Sequence, residues 1–272
     1  MALTDSLVSY WKLDESSGNA ADAHGSNTLV NQNTTTFVAA KINNGADVEA
    51  GSSQGFQVTD AAQTGLDITG DISISFWVKH ETLPPADGSA PQYYIDKRKV
   101  SGASGEYTFA YGGIVITANR NLGIELRDSS NNISRLYTTN GYNLSTTVFQ
   151  HVVFSVTVAT PAVAIYVDGV SQAISSDSAS ATSIGNTNGP FTVGYAISPG
   201  TVPFDGIIDE VGIWSRTLSS AEVTTLYNGG AGLAYPFTAA TSIKTINGLA
   251  KASVKTVNGL AIASIKSING LT

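Results

Sequence analysis

Apolar and polar residues alternate with a period of two through most of this chain. Ile72, Ile74, Phe76 and Val78 alternate with Ser73, Ser75, Trp77 and Lys79, which predicts a strand with one apolar face. Val152, Phe154, Val156 and Val158 repeat the pattern, and Val163, Ile165 and Val167 lead into Asp168-Gly169, a two-residue hairpin signal. Shorter alternations predict strands at 107–117, 122–127, 133–137 and 191–196. A helical pattern occurs near 219–228. There Ser219 and Glu222 form a capping box, Val223, Leu226 and Tyr227 share a face, and Asn228-Gly229-Gly230 supplies the stop. Just before it, Ile207, Ile208, Val211, Ile213 and Trp214 read as a buried strand that contains Asp209-Glu210. Buried carboxylates need a partner or a cation. Many strands, turn signals between them and one late helix predict an all-β, two-sheet jelly-roll β-sandwich.

The last residues follow a different rule. Ser242 to Leu249, Ser253 to Leu260 and Ser264 to Leu271 are three copies of one motif at an eleven-residue spacing, each with Asn-Gly between β-branched residues. Hairpin turns are predicted at 247–248, 258–259 and 269–270. The intervening strands, 249–257 and 260–268, would pair antiparallel and place Lys251 opposite Lys266, an unfavourable pairing. So small a meander buries too little to stand alone. Ile243, Ile246, Val254, Val257, Ile265 and Ile268 are therefore its assembly residues, for self-association or for docking on another structural protein. The expected organisation is a domain over 1–230, a linker over 231–240 and the repeat tail over 241–272.

Composition narrows the partners. Residues 1–240 hold 10 Lys+Arg against 21 Asp+Glu, and the tail holds 4 Lys and no acid. An acidic body argues against a nucleic-acid-binding face. There is no cysteine, so neither disulfides nor thiolate metal sites contribute. No signal peptide is visible at the start, and no window approaches the apolar length of a membrane span.

Four segments in order carry a resemblance. They are Tyr10-Trp-Lys-Leu-Asp-Glu-Ser-Ser-Gly18 with Asp22, Asp71 to Val78, Ala164-Ile-Tyr-Val-Asp-Gly169, and Phe204 to Gly230. Over about residues 5–230 the chain resembles the laminin-G-like jelly-roll domains of the concanavalin A-like lectin and glucanase superfamily. The tail is outside the resemblance. The family implies a structural Ca2+, with Asp14, Asp22 and Asp209 at the matching positions. The residues alone equally fit Asx turns and amide capping.

The superfamily also includes glycoside hydrolases, so the acids were tested for spacing. A retaining enzyme of this fold needs carboxylates on alternate residues of one strand. The flanking residues are Ile207 and Val211 around Asp209, and Ile208 and Gly212 around Glu210, which argues against that chemistry. Gly51-Ser52-Ser53-Gln54-Gly55 matches a nucleophile elbow but is followed by a strand pattern, not a helix. His24, His80 and His151 share no metal-ligand spacing. Tyr93, Tyr94, Tyr107 and Tyr111, with Tyr137 and Tyr142 beyond them, lie in a Gly-, Asn- and Ser-rich region and are the glycan-stacking candidates. The expectation is a non-enzymatic surface or adhesion protein that binds a glycan or a surface protein and is anchored by its tail, with a phage virion as a natural setting. A secreted bacterial carbohydrate-binding module is the alternative, and a hydrolase comes third. The location is then a virion or an extracellular surface.

Overall fold

The computed structural model describes residues 1–98, 105–112, 120–139, 144–197 and 204–237, together with strand residues 245–246, 249–250, 256–257 and 260–261. It divides into two units, Met1–Pro236 and Phe237–Thr272.

In the first unit the strands in chain order are β1 (Leu7–Trp11), β2 (Val30–Gln32), β3 (Thr36–Ala39), β4 (Asn44–Val48), β5 (Gly55–Val58), β6 (Ile72–His80), β7 (Gln92–Arg98) and β8 (Gly105–Tyr111). They continue as β9 (Leu122–Arg127), β10 (Ile133–Thr138), β11 (Gln150–Thr157), β12 (Ala162–Val167), β13 (Val170–Ser171), β14 (Ile174–Ala179), β15 (Phe191–Val193) and β16 (Gly206–Trp214). One eight-stranded sheet runs β13-β12-β11-β6-β16-β4-β3, with β1 also paired to β16. The other runs β14-β10-β9-β8-β7-β15-β5-β2. These sheets form the two-layer sandwich that the alternation predicted.

Inward positions of both sheets make one core. Ile72, Ile74, Phe76 and Val78 of β6 meet Phe154 of β11 and Phe109 of β8, and Phe109 and Phe154 lie 5.1 Å apart. Trp11 stacks on Phe191 at 5.2 Å. The hairpin between β12 and β13 turns at Asp168 (φ 52°) and Gly169 (φ 77°), both left-handed as a type I′ turn requires.

The outer face of the β6 sheet is covered by the C-terminal helix α1 (Ser220–Tyr227). Its capping box is formed, with Ser219 accepting from the Glu222 amide, and Asn228 closes it in the left-handed region. Val223 and Leu226 are buried. Tyr227 stacks on Trp77 at 5.9 Å, while the Ser73 and Ser155 hydroxyls both accept from the Leu218 amide. Residues 231–236 belong to this unit. Tyr235 packs on Tyr10, with ring centroids 5.7 Å apart, and its hydroxyl lies 3.2 Å from His24 Nδ1.

In the second unit, Thr245–Ile246 pairs with Leu249–Ala250 and Thr256–Val257 with Leu260–Ala261, each across a two-residue connection. Thr256–Val257 with Leu260–Ala261 is the start of the pairing expected between 249–257 and 260–268; the rest of it, with Lys251 and Lys266, and the third turn at 269–270 lie outside the described residues. So do Ile243, Val254, Ile265 and Ile268.

Candidate functional site

Sequence alternation misreads the Asp209-Glu210 pair in one respect. The pairing register of β16 with β6 shifts between Asp209 and Gly212, and Glu210 has φ 53°. A bulge inserts one residue and re-aims its neighbours. Ile208, Val211 and Ile213 all face the core, so two consecutive acids are left on the outer side. At that point β16 changes neighbours, from β4 at Ile208 to β1 at Val211. Asp209 Oδ2 accepts from the Ile42 amide at 2.8 Å. Asp209 Oδ1 and both Glu210 oxygens are buried with no well-formed hydrogen bond, although the Tyr10 phenol faces Glu210. Burial pushes Asp209 up to about 9, with the charges of Glu210 and Asp14 adding to it. Burial likewise pushes Glu210 up to about 7, with Tyr10 and Lys12 opposing. At 0% and 2% exposure, neither acid reaches an open cleft.

Asp22 does a different job from these two. Its Oδ1 accepts from the amides of Tyr10, His24 and Gly25, and its Oδ2 from that of Asn27, so its oxygens hold a loop together. Asp14 accepts from the Asn44 amide and the Asn43 side chain, both at 3.2 Å. Asp14, Asp22 and Asp209 are thus not brought to one point. Among the described residues, the three acids with oxygens within 4.8 Å of one another are Asp47, Glu49 and Glu81, a largely solvated patch.

The same period-two rule sorts the tyrosines. Tyr107 and Tyr111 are on the inward face of β8, and a register shift between Tyr93 and Ile95 turns Tyr94 inward as well. All three are fully buried. The Tyr107 hydroxyl donates to Leu66 O at 2.9 Å, that of Tyr111 accepts from the Leu144 amide, and that of Tyr94 lies 2.8 Å from His80 Nε2. These three rings offer no face to a ligand, which corrects the sequence expectation. Tyr93 and Tyr137 instead lie on the side of the second sheet away from the core, Tyr93 at 9% exposure and Tyr137 half-buried. Tyr142 lies outside the described residues.

That outer face is built in two rows. One follows the register Tyr93–Ala110–Gly123–Tyr137, placing two small residues between two tyrosines. With strands about 4.8 Å apart, the tyrosine backbones stand about 14 Å from each other. A Cβ at Gly123 would meet the Tyr137 Cβ at 3.0 Å, so glycine is what keeps the trough floor low. Ala196 packs on Tyr93 and Ala110 at one end. The second row is polar: Gln57, Thr192, Asp96, Thr108, Glu125, Arg135 and Ser178. Arg98 lies over the Tyr93 ring at 4.8 Å and donates to Asp96 at 2.6 Å. Arg127 and Arg135 each donate to Glu125 at 2.7 Å. Burial raises Asp96, against Arg98 and Thr108. Burial also opposes the ionised form of Glu125, but its two arginines win and hold it below the ordinary value.

Other sequence candidates have structural roles. The turn at Ala50–Ser52 runs into strand β5, so Ser53 is no nucleophile elbow. His151 sits 2.8 Å from the Ser75 hydroxyl, and burial pushes it down to about 3; His80 is pushed to about 4. No local pattern singles out Lys97. Fully buried on β7, it pairs with Asp67 at 2.5 Å, Glu106 at 2.8 Å and Asp60 at 3.5 Å.

Fold and site together define a lectin-like jelly roll with a polar, aromatic-edged sheet face. The chain belongs to the concanavalin A-like lectin/glucanases superfamily, whose family profile matches residues 50–224. No curated protein matches it in sequence. Among solved structures it is similar to the binding domain of Paraclostridial Mosquitocidal Protein 1, at 17% identity and a TM-score of 0.61, covering 84% of this chain and 53% of that one. This chain therefore spans about half the length of that domain. Domain 4 of the GH43 extracellular arabinanase AbnA from Geobacillus stearothermophilus, solved with arabinotriose, matches at 21% identity and a TM-score of 0.57, covering 80% and 96%. The Trypanosoma rangeli sialidase in complex with sialic acid matches at 18% and 0.56, covering 84% and 34%. At these identities the likeness is one of fold. Among the described residues no helix is long and apolar enough to cross a membrane.

Proposed function

We propose that this chain is a non-enzymatic glycan-binding module whose ligand lies across the outer face of the β8–β9 sheet. The observation that carries this reading is the row Tyr93–Ala110–Gly123–Tyr137, in which Tyr137 is half-buried and Tyr93 is 9% exposed, beside Glu125 and the half-buried Arg135. Sugar recognition needs an aromatic wall for the apolar ring face and fixed hydrogen-bonding groups for the hydroxyls. The fold's occurrence in a domain solved with arabinotriose favours the same ligand class. Against catalysis stand the arginine pairing of Asp96 and Glu125 and the sealing of Asp209 and Glu210 under the other sheet. A glycan array probed with the full chain and with Tyr137→Ala tests the reading. Selective binding that Tyr137→Ala abolishes supports it; hydrolysis of any bound glycan sinks it.

A structural Ca2+ belongs to the same proposal, held by Asp209, Glu210 and Asp14 and not by Asp22. The buried Oδ1 of Asp209, with no hydrogen-bond partner, and the buried Glu210 carboxyl, faced only by the Tyr10 phenol, fit a hard cation, which neutralises the pair when bound. Asp22 does not fit, because its oxygens are taken by amides. The 241–272 repeats are the module's assembly device, in a virion fibre or decoration protein. Removing them should abolish self-association in light scattering, and an unchanged mass sinks that role. A secreted carbohydrate-binding module is the second reading, favoured by the 96% coverage of the arabinanase domain.

A further inference from the structure

A groove opens at the opposite lateral end of the sandwich, away from the Tyr93–Tyr137 trough. There both sheets finish, one at β2 and the other at β3. It encloses about 570 Å³ between residues 16–18 and the segment that crosses from β2 to β3, within the range of small-ligand sites. We propose that this groove is a second, independent binding site, selective for a neutral saccharide.

The lining sets the ligand class. No charged side chain lines the groove. Its walls carry the exposed hydroxyls of Ser16, Ser17, Thr34 and Thr36, and its floor carries the half-buried ring of Phe37. Phe37 is itself held by packing on Phe56 at 5.7 Å. An apolar ring beneath a rim of hydroxyls matches the two faces of a sugar, and a charged ligand would find no counter-ion.

The site is built before any ligand arrives. The Asn31 side chain ties the two walls together, donating to Gly18 O at 2.9 Å and Thr35 O at 2.7 Å while accepting from the Thr35 amide at 2.8 Å. The buried Thr35 hydroxyl anchors the segment between β2 and β3 to β5 by accepting from the Gly55 amide at 2.8 Å. An added Cβ at Gly18 would meet nothing within 4 Å, so the rim is open to solvent. Walls fixed in this way lose little freedom on binding, which favours affinity.

The test uses the full chain and a panel of neutral and acidic oligosaccharides, read by saturation-transfer NMR and calorimetry. Ser17→Trp fills the groove from an exposed loop position, and Phe37→Leu keeps an apolar floor while removing the flat ring. Each should weaken neutral-saccharide binding about tenfold or more, and Tyr137→Ala should leave that binding in place. Melting curves of the variants confirm folding, and Ser17→Trp carries the test if Phe37→Leu fails to fold. Binding of neutral sugars that Tyr137→Ala abolishes and Ser17→Trp leaves intact overturns the groove while sparing the sheet-face reading. Groove binding that survives Tyr137→Ala, with no glycan on the sheet face, does the reverse. Binding of acidic sugars alone, or of no sugar at all, overturns the inference.

Discussion

Glu210→Gln should make the calcium-free protein more stable at pH 8 and leave it nearly unchanged at pH 4. Glu210 is 2% exposed, and its carboxyl is pushed up to about 7 from an ordinary 4.5. Below pH 4.5 the folded and unfolded chains both carry the proton. As pH rises from 4.5 to 7 the unfolded chain gives it up first, so stability falls throughout that window and levels off above it. At roughly 1.4 kcal/mol per pH unit the full loss is ~3 kcal/mol, an upper figure because water reaches part of any buried site. Glutamine keeps the shape and removes the charge. Urea unfolding of both proteins from pH 4 to 8, after dialysis against chelator, measures the difference, and subtracting the curves cancels the titrating groups that Glu210 does not touch, leaving its own contribution and its coupling to Asp209. A variant more stable by about 2–3 kcal/mol at pH 8 melts roughly 5–10 °C higher for a domain of this size. Calcium should reverse the sign, because the variant loses a ligand that the cation needs. A difference that stays flat from pH 4 to 8 refutes the claim that Glu210 is buried without compensation.

Three further changes probe other parts of the fold. Lys97→Met leaves Glu106 fully buried without its partner and should cost about 3–5 kcal/mol in urea unfolding; a loss under 1 kcal/mol would show that water rescues the site. Ser219→Ala removes the cap of α1 and should cost about 1 kcal/mol, and because α1 covers the β6 sheet, amide exchange at Trp77 should quicken as well. His151 is held neutral, with its proton affinity lowered to about 3, so the unfolded chain takes up the proton first and stability falls as pH drops from 6.5. His151→Gln should flatten that acid limb by up to ~1.4 kcal/mol per pH unit, and an unchanged limb contradicts the assignment.

Features legible in the sequence are those that short segments determine. The β6 alternation, the Asp168-Gly169 turn and the Ser219–Glu222 box each depend on residues within a few positions, and each forms as written. Strand order is a different matter: β16 pairs with β6, β4 and β1, and no local pattern encodes those distant partners. Lys97 escaped for the same reason. Its three acids come from residues 60, 67 and 106, and a lysine within a strand carries no mark of being buried.

The acid pair of β16 and Tyr94 of β7 each sit beside a break in register, and that break was partly visible. Period two sorts side chains to opposite faces only while the register is unbroken. In β16 the core residues Ile208 and Val211 are three apart, a spacing that strict alternation forbids, so a bulge is required between them and both acids must go to the other side. In β7 the adjacent Tyr93 and Tyr94 cannot share a face in a regular strand, and the shift beside them turns Tyr94 into the core. The tyrosines that the proposed binding face would use are those opposite small residues, Tyr93 beside Ala110 and Tyr137 beside Gly123, because a large outward neighbour would crowd the space between them. Which residues pair across strands thus decides which aromatic rings can meet a ligand. For the same reason Gly123→Val should weaken glycan binding about as much as Tyr137→Ala, by raising the floor between the rings and crowding Tyr137, whose Cβ would lie 3.0 Å from the added one.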